Sequence, residues 1–119
     1  MPDWRSVGQR RQRQAVTLDA TGSGTVEFDV HSSNHKWNID SVILATNQAQ
    51  TTAPYPTATT YLTGQQVGVS EGASWLGNQD TMSGNAEITS ADTFTVAFTG
   101  GVTGSVATAI VEGEYFIWR

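Results

Sequence analysis

From residue 15 onward, apolar and polar side chains alternate with a period of two. In "AVTLDA" Val16 and Leu18 share a side, and in "TVEFDV" Val26, Phe28 and Val30 point one way while Glu27 and Asp29 point the other. The intervening "TGSG" supplies turn residues, so the pair reads as a β-hairpin over residues 15–30. "KWNIDSVILAT" is the longest strand candidate. Its apolar phase slips between Ile39 and Val42, which predicts a bulge near Asp40–Ser41.

"ATTYLTG" reads as a further short strand. Residues 64–86 hold five glycines and no sustained period, and read as a long surface excursion with at most a short strand at Val67–Val69. "DTFTVAFTGG" and "GSVATAIVEGEYFIW" read as two strands joined by a glycine-rich turn. The pattern predicts an all-β chain: one sandwich or jelly roll of seven to eight antiparallel strands, with no core helix.

The first residues break this pattern. "PDWRSVGQRRQRQ" shows no alternation, and it carries Arg5, Arg10, Arg11 and Arg13, four of the six basic residues. Residues 1–13 sum to +3 and residues 14–119 to −8, which reproduces the formal −5. The expectation is therefore a basic docking arm over 1–14, as a short helix capped by Asp3 or a tail that orders on a partner, and a sandwich over 15–119. Trp4 is its hydrophobic anchor, and Arg5, Arg10, Arg11 and Arg13 are its electrostatic contacts. On this reading, deletion of residues 2–13 leaves a folded sandwich.

The C-terminal "EYFIWR" places Tyr115, Phe116, Ile117 and Trp118 in succession, making both faces of a strand apolar. Such a strand needs cover from another subunit or from the N-terminal segment, and these four residues are the expected oligomer interface. Tyr55 and Trp75 sit in loop sequence. They read as possible surface-binding aromatics for sugars or bases, or as loop side chains packed on their own sandwich.

Charged residues make up 14% of the chain, well below the usual share, so Thr, Ser, Asn, Gln and Gly must supply the polar surface. No cysteine is present, which excludes disulfides and thiolate metal sites. No apolar run approaches a membrane span, and arginines stand where a secretory signal would be apolar, so ordinary secretion is not expected. "GVSEG" around Ser70 matches the nucleophile elbow formally, but both histidines, His31 and His35, precede it and no helix follows. His31 and His35, flanked by Asp29 and Asp40, read as a solvated turn, because i, i+4 spacing joins two rings only on a helix. No calcium loop or phosphate loop is present. The expectation is a protein that is not an enzyme and has no cofactor and no metal.

The runs "VTLDATGSGTVEFDV", "ATTYLTG", "LGNQDTMSGN" and "FTVAFTGGVTGSVATAIVEGEY" resemble small β-sandwich virion structural proteins of tailed bacteriophages, especially those of actinobacteria. The resemblance covers roughly residues 15–114 and excludes the basic segment. It implies a capsid decoration or head accessory protein, assembled in the host cytoplasm and located in the virion. Its partner would be the major capsid protein or another virion protein, and it would form a homo-oligomer, with a trimer as first choice. A tail or collar accessory protein and a carbohydrate- or surface-binding module are the alternatives. A nucleic-acid contact through the arginines remains open, although the acidic body opposes it.

Overall fold

The computed structural model describes residues 3–30, 32–48, 55–72, 75 and 78–119. Eight strands carry the chain: β1 (Trp4–Thr17), β2 (Gly24–Asp29), β3 (His35–Thr46), β4 (Thr57–Leu62), β5 (Gln65–Ser70), β6 (Gln79–Thr89), β7 (Thr93–Thr99) and β8 (Val106–Trp118). There is no α-helix among the described residues. The strands form two antiparallel four-stranded sheets, ordered β1-β8-β3-β6 and β2-β7-β4-β5.

That order has a simple origin. β1 pairs with β8, β2 with β7, β3 with β6 and β4 with β5. The chain is thus one long double ribbon, closed at the β4–β5 hairpin and rolled so that successive pairs fall in alternate sheets. This is the eight-stranded jelly roll. The hairpin tip is fixed locally: Thr63 and Gly64 have φ of +48° and +83°, as a two-residue type I′ turn requires.

The rolled ribbon corrects the expected hairpin over residues 15–30. β1 and β2 lie in different sheets, so the turn between them is the passage of the ribbon from one sheet to the other. Alternation followed by turn residues looks the same in either case, because the partners of both strands, β8 for β1 and β7 for β2, lie far along the chain. The passage is tied by Asp19, whose Oδ1 accepts from the Thr21 hydroxyl (2.7 Å), the Thr21 N–H (2.9 Å) and the Ser23 N–H (3.1 Å). Val16 then faces Gly24 across the sandwich, with a glycine where a side chain would press on the valine methyls.

Inward side chains of both sheets form one core: Trp37, Ile39, Val42 and Leu44 from β3, Val111 and Tyr115 from β8, Phe94, Val96 and Phe98 from β7, and Phe28 from β2. The predicted bulge is present. Register slips between Ile39 and Ser41 against both neighbours: Asp40 is the extra residue against β8, and it faces two residues, Gly84 and Asn85, on β6. Within the expected surface excursion at 64–86, the short strand at Val67–Val69 is present as part of β5, and the remainder is corrected by strand β6 over Gln79–Thr89. β6 was illegible because three of its five inward positions, Asp80, Gly84 and Ala86, are not large apolar residues, and Asn85 at φ +52° interrupts the period.

Two aspartates tie the turns that join the ribbon. Asp92 is held below the ordinary aspartate range chiefly by the Thr89 N–H, with the Thr63 and Thr89 hydroxyls adding to it, and Asp19 is lowered by its Thr21 and Ser23 donors. A depressed folded pKa stabilises the fold above the unfolded value, roughly 3.9, and that stability is lost as pH falls through the folded values. Melting temperature should therefore drop more steeply between about pH 5 and 2 in the natural chain than in the Asp19→Asn/Asp92→Asn variant. Parallel acid profiles would show that these bonds do not couple to folding.

Candidate functional site

The basic segment is a strand, not a helix or a free tail. β1 holds four arginines and no carboxylate, and it pairs with β8 continuously from Trp4–Trp118 to Thr17–Val106 apart from one bulge between Ser6 and Gly8. The boundary expected between residues 14 and 15 therefore falls inside β1. The strand has no second strand neighbour among the described residues, so it forms an edge of its sheet. Its register explains why sequence alone concealed it. The inward positions Arg10, Gln12 and Gln14 oppose Gly113, Val111 and Ala109, and the outward positions Gln9, Arg11 and Arg13 oppose Glu114, Glu112 and Ile110. Most of β1 is exposed on both faces, so no apolar alternation is needed to hold it.

Each arginine has its own setting. Arg10 lies opposite Gly113, and its guanidinium is 4.6 Å from the centre of the Tyr115 ring and 5.8 Å from that of Trp37. Such contacts are worth about 0.5–1 kcal/mol at a surface. Arg11 reaches Glu112 at 3.7 Å, a surface pair contributing roughly 0–1 kcal/mol. Arg5 donates from Nε to the Arg119 carbonyl at 3.1 Å. Arg13 has no ion pair among the described residues and stands outward beside Ile110.

Trp4 is engaged as well. It meets Trp118 edge-on at 5.3 Å, and Lys36 Nζ sits 4.7 Å from the Trp4 ring centre and 5.1 Å from that of Phe116. Lys36 also faces Glu87 at 3.9 Å. Sequence reasoning missed Lys36, Glu112 and Gly113. They join the basic strand only through the β1–β8–β3 register, for which no local signal exists.

The C-terminal strand receives cover within the chain. β8 lies inside its sheet, between β1 and β3, so its edges are both paired. Tyr115 belongs to the core at 7% exposure, Ile117 packs against that core, and Phe116 and Trp118 lie on the outer face with Trp4 and Lys36. Of the two covers that the sequence allowed, the N-terminal segment is supplied within the chain, as β1 along the edge of β8. Trp118 stays 42% exposed, as does the bulged Val7 at 48%.

Tyr55 and Trp75 stack on one another, with ring centres 6.0 Å apart and planes 15° from parallel. Trp75 is buried and Tyr55 half-buried against the core, so the pair is not a free platform for a sugar or base. Ser70 ends β5, is buried, and donates its hydroxyl to Asp80. His35 lies far from it, opposite Ile117, with Nδ1 2.9 Å from the Tyr115 hydroxyl. His31 lies outside the described residues. Among the described residues, no group of three or more His, Asp or Glu side chains could hold a metal. The serine hydroxyl is thus paired with a carboxylate, and His35, the histidine within the described residues, is engaged with Tyr115 instead. Esterase, glycosidase and peptidase substrates should give no turnover above background; turnover abolished by Ser70→Ala would overturn this.

No family model and no curated protein matches the chain. Among solved structures it is similar to part of dimeric latent PorU from Porphyromonas gingivalis, at 8% identity and a TM-score of 0.46. The match covers 94% of this chain and 13% of that one. A likeness of this degree says nothing about what either segment does.

Proposed function

We propose that this jelly roll is a non-enzymatic structural protein of a tailed-phage virion, a capsid decoration or head accessory protein docked through β1. One observation carries the reading: an acidic sandwich with an open edge strand that bears four arginines and no carboxylate. The sequence resemblance to phage virion proteins supports it. The jelly roll also recurs in viral capsid and lectin domains, which is support by analogy of fold alone. Between those two classes, the burial of Trp75 weighs against a lectin-like aromatic platform.

The test is occupancy on capsids that lack this component. Arg11→Glu/Arg13→Glu changes two exposed outward side chains and spares the Arg10 contacts with Tyr115 and Trp37. Occupancy should fall at least about tenfold, the effect of some 1.4 kcal/mol in docking energy. It should fall equally on genome-filled and genome-free capsids if the partner is the shell. Unchanged occupancy would remove β1 from the docking surface, and a loss confined to filled capsids would assign the arginines to nucleic acid.

A further inference from the structure

The geometry points to strand addition: the free edge of β1 takes an extended acidic segment of a partner protein as the fifth strand of its sheet. This deepens the docking role proposed for β1 and rests on it.

Three observations carry the inference. First, β1 is a fourteen-residue strand with one neighbour, so one row of its backbone N–H and C=O groups has no ladder partner among the described residues. An edge of that length is the substrate for β-augmentation, in which main-chain bonds give affinity and alternate side chains give selectivity. Second, the alternation sorts the cations by face. Arg11 and Arg13 stand two apart on the outer face and Arg10 lies on the inner face. Arg13 has no ion pair among the described residues, and the Arg11–Glu112 pair is loose and exposed. A partner strand with carboxylates at i and i+2 would set both of them opposite the outer arginines. Third, the edge discourages a second copy. Any antiparallel β1–β1 register centred from residue 10 to residue 12 places one of Arg10, Arg11 and Arg13 opposite another. Like charges directly opposite each other destabilise a strand pair.

The bulge between Ser6 and Gly8 limits the docking stretch. Gly8 has φ of +101° and Val7 is the extra residue, so regular pairing of an added strand runs from Gln9 towards Thr17. Bulges and charged side chains are the usual protection of an edge against indiscriminate pairing. Here that protection is of one sign only, which rejects neutral and basic strands and leaves acidic ones admissible.

The probe is a capped peptide of about ten residues alternating glutamate and threonine, with a glutamine-for-glutamate counterpart, added to the full chain at low salt. Strand addition predicts slowed amide exchange at every second residue across 9–17, since alternate N–H groups face the free edge. Binding of the glutamine peptide should be at least about tenfold weaker, and Arg11→Glu/Arg13→Glu should reverse the preference between the acidic peptide and a lysine–threonine one. No protection, protection without the two-residue period, or equal binding of acidic and neutral peptides would overturn the inference, as would a peptide-independent dimer through β1 in sedimentation. If capsid occupancy depends on Arg11 and Arg13 but alternate protection is absent, docking through β1 stands and strand addition fails.

Discussion

Gly113→Ala is expected to leave little or no folded protein. Gly113 sits in β8 at the row where Asp40 is extruded from β3, and a Cβ there would overlap the carbonyl of Asn38 and press on the Ile39 backbone. Neither is a flexible side chain that can swing aside. The same β8 residue accepts the Trp37 indole N–H at 3.1 Å through its own carbonyl, so displacing β8 to relieve the clash breaks a buried bond of a fully buried tryptophan. Overpacking alone costs about 1–3 kcal/mol and at times more, and a small domain has roughly 5–15 kcal/mol in total. Gly104→Ala is the informative comparison. Its position has open space but a φ of +83°, so only backbone strain of about 1–2 kcal/mol is expected. Denaturant midpoints should order natural chain, Gly104→Ala, then Gly113→Ala, with the last unfolded or nearly so. Equal midpoints for the two variants would mean that β8 can shift away from the bulge at no cost.

The same row shows what the sequence could and could not reveal. The phase slip between Ile39 and Val42 announced the bulge, because two inward residues three apart cannot both follow a period of two. Nothing in the sequence announced that Gly113 and Gly84 flank it, from strands that lie to either side of β3. Strands with large inward residues, such as Phe94, Val96 and Phe98, were legible. β6, with Asp80 and Gly84 buried or half-buried among its inward positions, was not. β1 was the extreme case: an edge strand exposed on both faces has no reason to alternate, and its arginines looked like a tail. The composition of the candidate site was legible, since Trp4 and the four arginines do share one element. Its form was not, since the cation–ring contacts of Arg10 and Lys36 arise only from register with β8 and β3.

Removing residues 2–13 should therefore cost far more than a tail would. The deletion takes ten of the fourteen residues of β1, and with them the ladder along β8 from Trp118 to Ile110. It also strips the Trp4 edge contact from Trp118 and the Arg10 guanidinium from the faces of Tyr115 and Trp37. β8 would become the sheet edge, with Tyr115, Phe116, Ile117 and Trp118 beside an unpaired backbone. A long apolar edge is the kind that pairs with other chains and aggregates. The truncated chain should appear in the insoluble fraction, or as large assemblies in sedimentation with melting at least about 10 °C lower, since each kcal/mol shifts a domain of this size by roughly 4–8 °C. The Arg11→Glu/Arg13→Glu chain should stay monodisperse and melt only a few degrees lower, because those side chains are outward, and a carboxylate at position 11 opposite Glu112 costs roughly 0.2–1 kcal/mol. That contrast separates the two roles of β1, holding the sheet closed at β8 and presenting charge at its free edge. A soluble truncation that melts like the natural chain would show that β8 tolerates an open edge, and that β1 serves docking alone.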